Sequence, residues 1–133
     1  MGLFFNTPEV GTFKSPHSRE TVMELLGLAL VDYLPNHAVV VSEPPVMDGL
    51  YISELTDTRL VATVGNSVTL HYSLIVDLDQ DGAGTSGHVY FDRKKDRTNH
   101  PWAFTQVKIR ILRGMQDNLR SSSATISGKW DVT

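Results

Sequence analysis

The sequence predicts an α+β domain in which an N-terminal helix packs on a mostly antiparallel β-sheet, as a two-layer sandwich. Residues 18–33 carry apolar side chains at helical spacing. From Ser67 to Asp92, apolar and polar residues alternate with a period of two around a cluster of turn residues, which predicts a long β-hairpin. Further strand-like runs follow one another through short polar loops, a pattern that favours antiparallel pairing.

The composition fits a single domain. The chain has 133 residues, of which 41% are apolar and 20% are charged, as is usual for globular proteins. Pro8, Gly11 and Pro16 predict an extended N-terminal arm over residues 1–16, followed by one α+β domain over residues 17–133. We therefore expect one core packed in two layers.

Charge and cysteine content exclude several functions. The net charge of −3 provides no basic field for nucleic acid. The sequence contains no cysteine, which rules out disulfides, thiolate metal sites and cysteine nucleophiles. Since no apolar run reaches about 18 residues, we expect no transmembrane helix of the chain's own.

The predicted helix begins at Ser18, a suitable N-cap, and Glu20 lies in the first turn where the helix dipole favours an anion. We expect the helix to run to Tyr33, with Gly27 inside it at a cost near 1 kcal/mol relative to alanine. In the alternative, Gly27 closes a shorter helix as its C-terminal glycine. Pro35 ends the helix in either case. The apolar helical positions are Val22, Leu25, Leu26, Ala29, Leu30 and Tyr33.

Short apolar runs predict the strands. We expect strands over residues 38–42, 50–55 and 60–64 before the central hairpin, whose turn cluster covers residues 79–87. After the hairpin we expect a strand over residues 102–112, a loop over residues 113–123 and a last strand from residue 124 to the end.

The most specific motif lies in the hairpin turn cluster. Asp77, Asp79 and Asp81, followed by glycine, match the D-x-D-x-D-G start of a calcium loop, in which alternate carboxylates converge on the ion. The twelfth position, where such loops place a bidentate glutamate, is His88, and strands flank the motif. We therefore expect a hairpin tip and no metal, with calcium binding as the alternative.

Two segments are candidates for contact with a partner. A basic loop next to a tryptophan could meet an acidic protein surface or anionic lipid, although a solvated loop explains the same residues. The apolar residues near the N-terminus would dock onto this domain or onto a neighbour. The candidate partner- or anion-contact residues are Leu3, Phe4, Phe5, Arg93, Lys94, Lys95, Arg97 and Trp102.

We find no sequence pattern that predicts catalysis. There is no glycine-rich phosphate loop, no nucleophile elbow and no histidine pair at the spacing of a metal-binding helix. We expect neither catalytic residues nor a cofactor.

Several short motifs occur in the order found in one protein family. They are residues 20–27 (ETVMELLG), residues 74–76 before a glycine-rich tip, residues 87–91 (GHVYF), Trp102, and residues 107–111 (VKIRI). Together they resemble the mitochondrial inner-membrane family of the presequence-translocase subunit Tim-twenty-one and cytochrome c oxidase assembly factor one. The resemblance consists of scattered positions over residues 18 to 130.

The resemblance implies an α+β domain without catalytic residues that works by contact with other subunits. It implies an accessory or assembly subunit of a respiratory-chain or translocase complex of the mitochondrial inner membrane. Family members usually carry a transmembrane helix before this domain, and none is present here. Attachment through Leu3, Phe4 and Phe5, peripheral to the membrane, is the expected substitute.

An alternative from another class is a small-ligand-binding or enzymatic domain of nuclear-transport-factor-like shape, with a pocket between helix and sheet. Such a pocket requires polar residues on the core side of the strands. His71, Tyr90 and Asp92 are the candidates, but strand alternation places them on the other face.

Overall fold

The computed structural model describes residues 9–68, 70–92, 101–128 and 130. These residues form a six-stranded antiparallel sheet and two α-helices, and the helices lie on one face of the sheet, so the predicted α+β class is confirmed. The sheet has the strand order β2-β3-β4-β5-β1-β6. In chain order the elements are β1 (Glu9–Ser15), α1 (Arg19–Leu28), β2 (Gly49–Leu55), β3 (Arg59–Gly65), β4 (Leu70–Asp81), β5 (Gly84–Asp92), α2 (Pro101–Ser121) and β6 (Thr125–Gly128).

The predicted central hairpin is formed by β4 and β5. Its tip is shorter than predicted, because β4 continues to Asp81 and pairs there with Gly84. Only Gly82 and Ala83 form the turn. Gly82 has φ 61°, the left-handed conformation that a type II′ hairpin turn requires at its first position. The polar residues on either side of the turn are therefore strand residues.

Strands β2 and β3 confirm two of the predicted short strands, whereas the strand predicted over residues 38–42 is wrong. That segment makes one isolated parallel bridge, between Val41 and Ile52. His37 has φ 54°, and the amide of Val40 donates to the carbonyl of Ala38 at 3.1 Å. These local bends prevent a continuous ladder, although the β-branched composition favours extended backbone.

Helix α2 replaces the strand predicted over residues 102–112 and the loop predicted over residues 113–123. Pro101 occupies the first helical position, where its missing N–H leaves no hydrogen bond unmade. Ile111, Leu112, Met115 and Leu119 are all buried and lie on one helical stripe. The apolar residues in the first half of α2 alternate as they do in a strand, which explains the wrong strand prediction. The second half is mostly polar, and its few apolar residues form a narrow helical stripe.

Helix α1 begins as predicted and ends earlier. The side chain of Ser18 accepts a hydrogen bond from the amide of Thr21 at 3.3 Å, which confirms the N-cap. The helix ends at Leu28, and a short 3-10 turn, Val31–Tyr33, follows, so the prediction of a helix to Tyr33 is wrong. Gly27 is not a closing glycine either, because it lies buried inside the last turn.

Residues 9–15 of the predicted N-terminal arm form β1, which pairs with β5 on one side and β6 on the other. Phe13 is 1% exposed and packs beside Trp130, with ring centroids 6.5 Å apart. Only residues 125–128 of the predicted last strand form β6, and residues 131–133 lie outside the described part of the chain.

The core lies between the two helices and one sheet face, which we call the core face; the opposite side is the outer face. Both helices contribute fully buried apolar side chains, and so do five strands. Representative core residues are Val22, Leu26, Leu30, Leu112, Met115 and Leu119 from the helical layer, and Phe13, Ile52, Leu60, Val76 and Val89 from the sheet.

The helices meet at a close approach. A Cβ atom on Gly114 would lie 3.2 Å from the Cβ of Ala29. The side-chain amide of Asn118 donates to the carbonyl of Leu25 at 3.0 Å. One flank of α1 is thus occupied by α2, and its opposite flank borders the candidate site.

Candidate functional site

An open groove of about 870 Å³ runs along the flank of α1 that faces away from α2. We call it the α1 groove. Helix α1 forms one wall. The turn between β2 and β3 and the tip of the β4–β5 hairpin form the other.

The floor of the α1 groove is apolar. Met23, Gly27 and Val31 follow one another at four-residue intervals along α1 and the 3-10 turn, so they share one face. Val39 and Leu55 complete the floor from the other side. Gly27 is buried, whereas the side chains of Met23, Val31, Val39 and Leu55 are half-buried, so part of their apolar surface stays open at the bottom of the groove.

The rim of the α1 groove is acidic. Glu20, Glu24 and Asp57 line it and are exposed, whereas Arg19 is the one basic residue in the lining. Among the residues that the structure describes, none of these three carboxylates forms an ion pair within 4 Å. Three carboxylates against one guanidinium therefore give the rim a net negative charge.

Hydrogen bonds hold the walls in place at the end formed by the turns. The hydroxyl of Thr85, which is fully buried in β5, donates to the carbonyl of His17 at 2.8 Å, just before the N-cap of α1. In the turn between β2 and β3, the side chain of Thr56 accepts from the amides of Thr58 and Arg59 at 3.2 and 3.0 Å. These hydrogen bonds hold the backbone of the turn that places Asp57 at the rim.

The other end of the groove depends on Gly27. A Cβ atom there would lie 3.2 Å from Cγ2 of Val39, so a larger residue would push residues 38–42 away from α1. Those residues are tied to the sheet by the amide of Ser42, which donates to the carbonyl of Ile52 at 2.9 Å. The site is a preformed groove with anchored walls.

A second cluster of functional groups lies on the outer face. The guanidinium of Arg59 on β3 donates to both carboxylate oxygens of Asp77 on β4, at 2.7 and 3.1 Å. The hydroxyl of Tyr90 on β5 donates to the same carboxylate at 2.6 Å. Partial burial alone would raise the pKa of Asp77, but the hydrogen bonds from Arg59 and Tyr90 hold that pKa below its ordinary value.

This outer-face cluster fits a structural role. The hydrogen bond to Asp77 raises the pKa of Arg59 in turn, so both groups stay charged. Since both carboxylate oxygens of Asp77 are engaged and its pKa is lowered, it is poorly suited to act as a general base. The cluster joins three neighbouring strands.

The structure does not form the loop that the calcium alternative requires. Asp77, Asp79 and Asp81 all lie in β4. Alternate residues of a strand stand roughly 6.5–7 Å apart and point in parallel, so their carboxylates do not converge on one ion. Within the described residues, no group of three or more histidine, aspartate or glutamate side chains is placed to hold a metal.

Most predicted contact residues cannot be compared with the structure. Leu3, Phe4, Phe5, Arg93, Lys94, Lys95 and Arg97 lie outside the described residues. Trp102 lies in the first turn of α2, where a strand was predicted, and its side chain is outside the described part. Their role in contact with a partner stays a prediction.

Of the three residues that a ligand pocket would use, the structure describes the side chain of Tyr90. Tyr90 lies on the outer face and binds Asp77 and Arg59. The side chains of His71 and Asp92 are outside the described part of the structure.

Sequence analysis missed the α1 groove, although α1 carried a signal. Its apolar residues form two stripes: Val22 and Leu26 face the core, while Met23 and Gly27 face the groove. A helix that needs only one apolar stripe to cover a sheet has a second stripe to offer to another contact.

Comparison with known proteins gives no family. No protein-family model matches the chain, and no curated protein matches it. The solved structures that match include two from Bacillus species. An uncharacterised protein from Bacillus thuringiensis aligns with a TM-score of 0.49 and 12% identity, covering 87% of this chain and 98% of that one. The protein XoxI from Bacillus cereus aligns with a TM-score of 0.49 and 13% identity, covering 86% and 94%.

Neither helix in the described part of the chain is both long and apolar enough to cross a membrane.

Proposed function

We propose that this chain is a non-catalytic protein-interaction domain and that the α1 groove is its contact surface. The observation that carries the proposal is the combination of an open apolar floor with a charged rim in a preformed groove. Protein contact surfaces commonly have an apolar centre surrounded by polar and charged residues. Anchored walls reduce the conformational entropy that binding would cost.

An exposed apolar side chain in the groove supports the same function. Leu28, at the end of α1, lines the groove and is 65% exposed. Together with the open floor, it forms apolar surface of the kind that interaction sites expose.

The biological setting that we propose follows from the sequence resemblance alone. It is an accessory or assembly subunit, peripheral to the mitochondrial inner membrane, in a respiratory-chain or translocase complex. The basic residues Arg93, Lys94, Lys95 and Arg97 would form a further contact with acidic subunits or anionic lipid. Identification of the proteins that co-purify with the chain tests this setting.

The contact surface is tested by co-purification with matched variants. Tagged full-length chain is isolated from the cells that encode it, beside Leu28→Gln in the groove and Val68→Gln in the β3–β4 turn. Val68 is 91% exposed and lies away from the groove, so it controls for loss of exposed apolar surface. We expect wild type and Val68→Gln to retain the same stoichiometric partner and Leu28→Gln to lose most of it.

Two results would contradict the proposal. One is a wild-type chain that migrates alone at 14.8 kDa on a sizing column. The other is a partner that Leu28→Gln retains as fully as wild type does.

A small-ligand site is the second candidate, because the groove volume falls within the range of about 300–1,000 Å³ that ligand sites occupy. A metabolite that stabilises wild type but not Leu28→Gln against heat, in the absence of any protein partner, would favour this function.

A further inference from the structure

We infer that the partner seated in the α1 groove is a short amphipathic helix whose apolar face is flanked by lysine or arginine. The inference rests on the proposed function and adds the chemistry of the partner. It follows from the position of the groove in the helical layer, from its length and from the charge of its rim.

The position of the groove favours a helix. Ala29, which caps the C-terminus of α1, meets α2, whereas Met23 and Gly27 lie on the opposite flank, where the groove begins. Helices in one layer pack side by side at about 8–10 Å. The groove therefore occupies the place where a third helix of the layer would lie beside α1, above the end of the β2–β3 hairpin.

The length of the groove sets the length of the contact. Its lining follows α1 from Arg19 to Leu28, which is about 13.5 Å at 1.5 Å per residue. A partner helix would thus make contact over about two turns. Leucine-sized side chains at i, i+3, i+4 and i+7 suit the apolar floor formed by Met23, Val31 and Leu55.

The acidic rim determines which charge the flanks of the partner helix should carry. Glu20 and Glu24 stand one turn apart on α1, and Asp57 faces them from the β2–β3 turn. A helix lying between them would have carboxylates on both of its flanks. Lysine or arginine at those flanks would compensate the rim, whereas glutamate would be repelled.

A peptide titration tests the inference. The probe is a 14-residue peptide, acetylated and amidated, with leucines at helical spacing on one face and lysines on both flanks. One comparison peptide has glutamate in place of every lysine, and another has serine in place of every leucine. Each is titrated into the full chain, with amide chemical shifts recorded by NMR.

The variants are Glu24→Lys and, as control, Asp79→Lys. Both replace an exposed carboxylate, but Asp79 lies on the outer face of β4. Glu24→Lys leaves Glu20 one turn before the new lysine, a favourable pair on a helix. Circular dichroism and thermal unfolding of both variants are compared with those of wild type to check that they fold.

We expect the leucine–lysine peptide to shift the amide resonances of residues 20–31 and 55–57 in the wild-type chain. It should bind Glu24→Lys about tenfold more weakly than it binds wild type, because the charge of one rim residue is reversed. Asp79→Lys should bind as wild type does, and raised salt should weaken binding. The glutamate and serine peptides should bind at least tenfold more weakly.

Other outcomes overturn the inference. If the glutamate peptide binds the groove as tightly as the leucine–lysine peptide or more tightly, the partner's flanks are not basic, although the groove still serves as a contact surface. If the serine peptide binds as tightly as the leucine–lysine peptide, the partner does not bind through an apolar face. Groove shifts that depend on protein concentration alone identify a second copy of the chain as the occupant. Absence of groove binding by every peptide removes the helical partner, and the Leu28→Gln co-purification then decides the proposed function separately.

Discussion

At the scale of single residues, Asp77 links three strands through one carboxylate. Its partners, Arg59 and Tyr90, come from the neighbouring strands β3 and β5. The side chains of Arg59 and Asp77 are 39% and 34% exposed, so solvent screens the pair and its contribution to stability is modest. The sequence placed Asp77 in a turn motif, because a D-x-D-x-D-G pattern looks alike in a calcium loop and at the end of a strand.

Asp77→Asn should reduce stability in a pH-dependent manner. Because the pKa of Asp77 in the folded state lies below the unfolded value of about 3.9, the carboxylate stabilises the fold above that pH. This stabilisation is lost as the pH falls through the lower, folded-state pKa. We expect Asp77→Asn to cost about 1 kcal/mol at neutral pH.

Urea unfolding of wild type and Asp77→Asn across the acid range measures this effect. The difference in free energy of unfolding should stay nearly constant from neutrality to about pH 5 and shrink as the pH falls through about 4 and below. Asp79→Asn, a neighbouring exposed carboxylate on the same face, is the control and should change stability by less than about 0.5 kcal/mol. A difference that stays constant with pH would show that the charge of Asp77 does not contribute.

At the scale of elements, the two helices show where sequence patterns succeed and where they fail. Ser18 and Glu20 gave a correct start for α1, because capping depends on local hydrogen bonds. In α2, Val107, Ile109 and Ile111 alternate as in a strand, whereas only Val107 and Ile111 also fit helical spacing, so the local pattern favoured the wrong element. Tertiary packing decides the matter, since Leu112 and Met115 complete a buried helical stripe.

The contact between α1 and α2 depends on a glycine. Gly114→Leu should destabilise the protein by about 2 kcal/mol, because even a Cβ atom at this position lies 3.2 Å from that of Ala29. The larger side chain would force the helices apart and strain the hydrogen bond from Asn118 to Leu25, which is 3.0 Å long.

Arg113→Leu provides the matched control, because Arg113 is exposed on the neighbouring position of the same helix. It should leave the midpoint of urea unfolding nearly unchanged, whereas Gly114→Leu should lower it clearly. Equal midpoints for the two variants would show that the helices do not pack closely at Gly114.

At the scale of the whole molecule, the predicted α+β sandwich is confirmed because it depends on simple alternation. Leu74, Val76 and Leu78 point toward the helices, while Asp77 points outward, as the period of a strand requires. The second helix and the exact strand ends could not be predicted, since they depend on packing between distant segments.

The α1 groove is a property of the assembled molecule. Its lining comes from α1, residues 31–39, the β2–β3 turn and the β4–β5 tip, which are joined only by folding. No local motif spans these segments, so a single sequence offers only the second apolar stripe of α1 as a signal. A groove built in this way is invisible to motif searches.

Hydrogen exchange of the full chain, alone and bound to its co-purified partner, tests most directly whether the α1 groove is the contact surface. We predict that binding slows exchange at least several-fold at residues 23–31 and 55–58, and leaves residues 75–79 of β4 and 86–90 of β5 unchanged. Unchanged exchange along the groove, with new protection confined to those strand residues, would contradict the account.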